Sequence, residues 1–379
     1  MKRYFLLGLA FLFLLTSFLT AHAAGKKFKY GFIDKTGKVV IEPQFDGTEE
    51  QFTGLAHFFN LGEPVFREGL APVMIRGQWG YIDKTGKFAI KPQFFVVRPF
   101  SEGFAAVQPH RQHGWDYIDK AGKFLIVSSQ VFVAEHARHT AITKAHSFSE
   151  GFAWIKVEGI YVLINNEPKI ILGFDFRFDD ARDFREGMAA AGAGGAWTYI
   201  GRAGGTMCLP FKVKIGPFEV PDQKGCFSEG MAVLKMDGKY GFIDKKYDRS
   251  ENDKFVIEPQ FEDAFNFREG LASVKINGKW GYIDRTGKFA IKPQFGSAQP
   301  FSEGLAGVRI GTQWGYINKT GKFVVGLQFE FVSSFSDGMG KIVVGGKRGF
   351  VDKTGKIVIE PNFDYAQNFS EGLAAVGFK

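Results

Sequence analysis

The chain of 379 residues has two cysteines, Cys208 and Cys226. A disulfide framework is therefore excluded, and at most one bridge can form. Beyond residue 23 no stretch approaches 18 consecutive apolar residues, which excludes a later membrane-spanning helix. The 14 prolines and 48 glycines follow no three-residue period, which excludes a collagen-like chain. Also missing are G-x-S-x-G, a phosphate-binding P-loop, a dinucleotide fingerprint and H-E-x-x-H. These absences argue against an enzyme and against a cofactor. No recognised nucleic-acid fold signature is present, which argues against a nucleic-acid partner. What the chain has in excess is glycine and phenylalanine, the latter 43 times. Glycine inside helices costs about 1 kcal/mol each, so this composition opposes a mostly helical fold. A hydrophobic content of 45% is too high for a disordered chain.

Residues 1–23 read as an address. Lys2 and Arg3 precede an apolar run from Tyr4 to Leu19, and Ala21 and Ala23 place small residues where a signal peptidase inspects. Cleavage after Ala23 and export to a periplasm or beyond are expected. The formal charge of +8 includes Lys2 and Arg3, so the exported chain carries +6.

The rest is one phrase repeated. Trp79-Gly80-Tyr81-Ile82-Asp83-Lys84-Thr85-Gly86-Lys87 returns, intact or worn, in units headed at Tyr30, Trp115, Tyr161, Trp197, Tyr240, Trp280, Trp314 and Arg348. A second phrase, Phe-Ser/Arg-Glu/Asp-Gly, closes every unit, ending at Gly69, Gly103, Gly151, Gly187, Gly230, Gly270, Gly304, Gly338 and Gly372. The best copies carry Pro-Gln-Phe between the two, as at Pro92, Pro259 and Pro293. The closest heads are 34 residues apart, and longer intervals mark insertions, chiefly at 46–65 and 127–147. The short, alternating aromatic runs read as strands. Asp-Lys-Thr-Gly reads as a three-residue hairpin loop with a bulge, and Asn277-Gly278 as a tight hairpin turn.

These phrases resemble the WG-repeat (KWG-repeat) family of bacterial proteins, over residues 30–379. The resemblance implies an all-β repeat protein, often exported, with no general enzymatic activity or ligand attached to it. Asp116, Val162 and Thr198 replace the glycine after the aromatic head in three units, so distortion is expected there.

Nine uneven units with about three strands each favour an open β-solenoid of three-stranded meanders, with a closed propeller-like toroid as the alternative. In either case a single unit cannot bury its own aromatic face, and neighbours must complete the core.

Five sets of residues invite chemistry. The closing phrase carries an acid in every unit, Glu68 to Glu371, read as accepting backbone N–H groups or pairing with turn lysines. The Asp-Lys-Thr-Gly turns line up Lys35, Lys38, Lys84, Lys87, Lys288, Lys319, Lys322, Lys353 and Lys356 as a basic rim for an anionic polymer. Trp79, Trp115, Trp197, Trp280 and Trp314 head units and read either as core or as aromatic grooves for sugars. His110, His113, His136, His139 and His146 cluster in sequence without accompanying cysteines, and no metal is assigned to them. Cys208 and Cys226 are the candidate disulfide in an oxidising compartment. The expected function is an exported, non-enzymatic scaffold binding a protein or an envelope polymer. The alternative is a cell-wall or carbohydrate-binding module using aromatic grooves and the lysine rim.

Overall fold

The computed structural model describes residues 27–52, 63–127, 132–133, 138–139, 141–167, 170–172, 176–203, 206–208, 218–219, 225–245 and 255–378. The leader at 1–23 and much of the two insertions lie outside them. Nine antiparallel sheets follow one another as blades and close into a nine-bladed β-propeller. Blade 8 shows the plan: Ser297–Ala298, Leu305–Ile310, Gln313–Asn318 and Phe323–Phe329 lie side by side in chain order. Blade 7 precedes it with Asp263–Ala264, Ala272–Ile276, Lys279–Ile283 and Phe289–Phe295. Blade 9 follows with Phe331–Val332, Met339–Val344, Lys347–Asp352 and Ile357–Phe363.

Two expectations are corrected. Eight blades have four strands, and in seven of these the first is only two residues long, as at Ser297–Ala298 after Pro293-Gln294-Phe295, too short to leave a periodic trace. The array is closed, not an open solenoid. Phe28–Asp34 pairs in full antiparallel register with Leu373–Phe378, Lys29 opposite Phe378 and Asp34 opposite Leu373. The sequence unit begins at a blade's third strand, so the chain starts with strands three and four of blade 1 and ends with its strands one and two. In an open array both terminal strands would be bare edges, and closure pairs each with the other.

Among the described residues blade 2 has three strands, Ala71–Ile75, Gln78–Ile82 and Phe88–Phe94. The insertion at 46–65 precedes them in the chain. It opens with a short helix, Glu49–Phe52, whose Phe52 packs edge-on against Phe28 and Tyr30. In the insertion at 127–147, Phe132–Val133 pairs with Arg138–His139 before the strand Ile142–Ala145 begins blade 4.

The core lies between blades. One buried cluster joins Trp280, Tyr282, Ile291 and Phe295 of blade 7 to Phe301, Val308 and Ile317 of blade 8. Each such side chain contributes roughly 1.5–3 kcal/mol on burial. Fourth strands bury their third and seventh residues and leave most others facing out, as in Phe289–Phe295. The tyrosines two residues after the tryptophan heads fasten neighbours: the hydroxyls of Tyr81, Tyr117, Tyr199, Tyr282 and Tyr316 donate to carbonyls of the next blade, at 2.6–2.8 Å.

The glycine of Trp-Gly answers a close approach. The fourth strand bulges opposite it, Trp280 facing Phe295 while Tyr282 faces Ile291. A Cβ on Gly281 would lie 2.7 Å from the Ile291 carbonyl oxygen and from Pro293 N, so no larger residue fits.

Candidate functional site

Each first strand turns into the second through Phe-Ser/Arg-Glu/Asp-Gly, a two-residue hairpin closed by paired backbone bonds such as Ser302 N to Leu305 O and Leu305 N to Ser302 O. Its central residues are left-handed. The nine acids have φ of 52–55° and the nine glycines φ of 76–90°. Glycine takes this conformation freely, but the acid before it does not. A non-glycine residue in this region costs roughly 1–2 kcal/mol, and Asn, Asp or Gly would be the easier choice. Yet eight of the nine are glutamate.

The reason is a circuit around the ring. Every acid accepts the backbone N–H of the glycine in the next blade's hairpin. The bonds run from Gly69 to Glu371, Gly103 to Glu68, Gly151 to Glu102, Gly187 to Glu150 and Gly230 to Glu186. They continue from Gly270 to Glu229, Gly304 to Glu269, Gly338 to Glu303 and Gly372 to Asp337, all at 2.6–3.0 Å. The serines add a parallel set of six, each hydroxyl donating to the next hairpin's phenylalanine carbonyl at 2.6–2.8 Å.

The third-to-fourth strand turns lie on the same face. In six of them Asp34, Asp83, Asp119, Asp284, Asp352 or the Asn318 amide oxygen gathers the turn. Asp83 Oδ1 accepts from Thr85 N, Thr85 Oγ1 and Lys87 N. The threonine hydroxyl, then the backbone bonds, hold the Asp34, Asp83, Asp284 and Asp352 carboxyls below the usual range.

This arrangement divides the expected lysine rim in two. The first lysine of a turn reaches the previous blade's hairpin acid: Lys84 to Glu371, Lys319 to Glu269 and Lys353 to Glu303 at 2.9–3.1 Å. Lys120 and Lys245 do the same with Glu68 and Glu186. Burial alone would raise the Glu186, Glu303 and Glu371 pKa values, but the glycine N–H and lysine bonds bring them below the usual range. Lys35 is exposed and within electrostatic reach of Glu303. The second lysines, Lys38, Lys87, Lys288, Lys322 and Lys356, are exposed. Among the described residues none of these five makes an ion pair. Each is followed by an outward residue that begins the outer strand, and Val39, Phe88, Phe289, Phe323 and Ile357 are 37–41% exposed. The repeat therefore presents a belt of lysines beside apolar side chains, a feature the sequence reading missed because it counted all turn lysines alike.

The remaining candidates fall elsewhere. Trp79, Trp115, Trp280 and Trp314 are buried and Trp197 is half-buried beneath the Arg182 guanidinium, so the unit heads form core rather than open aromatic grooves. His110 and His113 stand 6.1 Å apart in one turn, while His146 Nδ1 meets Asp183 Oδ1 at 2.6 Å between blades 4 and 5. The side chains of His136 and His139 lie outside the described residues. Among the described residues no three His, Cys, Asp or Glu side chains gather as a metal site. Cys226 is buried, its Sγ 3.8 Å from the Asp183 carbonyl oxygen, and the side chain of Cys208 lies outside the described residues, as does any pairing of the two.

The family of WG-containing repeats matches residues 30–52, 79–108, 142–161, 163–197, 250–280, 280–311, 314–347 and 349–377. No curated protein matches the chain. A crystal structure of the eukaryotic initiation factor is similar in fold, with a TM-score of 0.51 at 10% identity over 93% of this chain and 98% of that one. Apo AztD from Citrobacter koseri aligns with a TM-score of 0.41 at 10% identity, covering 78% of this chain and 92% of its own. The Dos1 propeller aligns with a TM-score of 0.37 at 12% identity, covering 74% and 90%.

Proposed function

We propose that this chain, which belongs to the family of WG-containing repeats, is an exported, non-enzymatic scaffold that binds an anionic partner along its lysine belt. One observation carries the reading. On this face the hairpin acids are occupied by glycine N–H groups and first lysines, while the second lysines remain exposed beside exposed apolar side chains. A surface of cations interleaved with apolar groups favours an acidic protein surface with apolar contacts over a purely charged polymer. The apolar share of binding would survive salt; a polymer held by charge alone would be released.

The test compares capture by the intact protein with capture by a variant carrying Gln at Lys38, Lys87, Lys288, Lys322 and Lys356, using crosslinked native envelope. Recovery of the same protein partner by the intact form, and its loss with the variant, is expected. Equal recovery by both would remove the belt from the account, and recovery of glycan alone would transfer it to wall binding. Export rests on the leader sequence, and N-terminal sequencing of protein from outside the cytoplasm is expected to begin at Ala24.

A further inference from the structure

Outer strands are bare edges, and the regular ones carry two guards against pairing with another chain, a charged residue followed by proline. Phe88–Phe94 has Lys91-Pro92, Phe289–Phe295 has Lys292-Pro293, Ile357–Phe363 has Glu360-Pro361, and Val39–Gly47 has Glu42-Pro43. Blade 8 has neither. Its outer strand, Phe323–Phe329, reads FVVGLQF, with Gly326 and Leu327 at the matching positions and no charge in seven residues. The bulge opposite the head glycine is present in all of these blades and does not distinguish this one. Phe323 and Val324 are 37% and 38% exposed, and a Cβ on Gly326 would meet nothing within 4 Å. Such a strand, apolar, uncharged and free of proline, is a template for an added strand.

The sequence around it is complementary to itself. Antiparallel pairing of two copies about Gly326 sets Phe323 opposite Phe329 and Val325 opposite Leu327. It sets Lys322 opposite Glu330, twice by symmetry; both residues are exposed, and the Glu330 carboxylate also accepts from Gly345 N and Gly346 N of blade 9. Gly326 falls on the two-fold axis, opposite its own copy. We propose that the outer strand of blade 8 is a self-association edge, through which two copies of this chain pair antiparallel about Gly326. One strand pair buries less surface than stable dimers do, so the association is weak and depends on concentration. This edge goes beyond the belt function and does not require it.

The experiment is light scattering or sedimentation of the purified protein over a wide concentration range. The mass is expected to rise toward twice that of one chain. The double variant Gly326→Lys with Leu327→Pro installs the residues blade 7 uses at Lys292 and Pro293, and it is expected to keep the single-chain mass with unchanged circular dichroism. Lys322→Glu, an exposed change that leaves the blade intact, places like charges together twice and is expected to weaken association about tenfold. A single-chain mass at every concentration, or self-association by the double variant equal to that of the unmodified protein, would overturn the proposal.

Discussion

Six blades keep glycine after the unit head, and three, headed at Trp115, Tyr161 and Trp197, have Asp116, Val162 and Thr198 instead. The outer strands separate the same two groups. In blades 3, 4 and 5 no Pro-Gln-Phe follows the head, and the described part of each outer strand is Phe124–Ile126, Ile170–Leu172 and Thr206–Cys208. The glycine is needed where the bulged outer strand presses its backbone on that position, as at Gly281. The hairpin circuit, by contrast, runs through all nine blades. What can vary is the edge of a blade, and what does not is the bond that joins it to the next. The irregular blades add joints of their own: Trp154 Nε1 donates to Arg182 O at 2.9 Å, and His146 meets Asp183. Arg98 and Arg182 lie over the head tryptophans Trp115 and Trp197 at 5.3 and 4.7 Å.

The sharpest way to break this comparison is to place one residue in both settings. Gly281→Ala drives a Cβ into backbone and is expected to destabilise the protein by about 3 kcal/mol or more. Thr198→Ala, at the same position of blade 5, is expected to cost about 1 kcal/mol or less. Urea denaturation reads both, and equal losses would deny that the bulge dictates the glycine.

Next in size is the circuit. Glu303→Ala removes the bonds to Gly338 N and Lys353 while keeping a left-handed residue, with an expected loss of about 1.5 kcal/mol. The folded pKa of Glu303 lies below its unfolded value, so its contribution is complete above the unfolded pKa and disappears as pH falls through the folded one. The difference between Glu303→Ala and the unmodified protein should therefore shrink on acidification. A gap that persists at low pH would locate the effect in packing.

Smaller still is a contrast at the third residue of the second strand. Blade 4 has Trp154 there and blade 9 has Lys341, whose Nζ donates to Ala366 O at 3.0 Å. Desolvation, with Arg348 adding repulsion, pushes the Lys341 pKa down to about 8. The unfolded chain then binds a proton that the folded one lacks between about pH 8 and the ordinary lysine value, so stability rises with pH across that window. Lys341→Met is expected to stabilise the protein at neutral pH by about 1 kcal/mol and to abolish the alkaline rise. Melting temperatures across that range decide it, and a destabilised variant at neutral pH would contradict the reading. The smallest effect expected on stability is that of replacing the five belt lysines by Gln, about 0.5 kcal/mol or less, set against their effect on capture.

Much of this was legible in the sequence. The repeat, its strands and its turns follow from the phrases, and inter-unit burial of the heads follows from their period. Closure was hidden by phase: the unit starts at a third strand, so nothing local reveals that Phe28–Asp34 and Leu373–Phe378 are halves of one sheet. The first strand was hidden by its length of two residues. The belt was hidden because Lys353 and Lys356 look alike in a turn, and only the stacking of blade 9 on blade 8 brings one of them to Glu303.

Closure is the claim on which the rest depends, and native-state hydrogen exchange tests it most directly. The amides of Phe28–Asp34 and Leu373–Phe378 should exchange as slowly as those of Lys279–Ile283 in the middle of the ring. Fast exchange confined to the two terminal strands, with the central blades protected, would mean that the array is open.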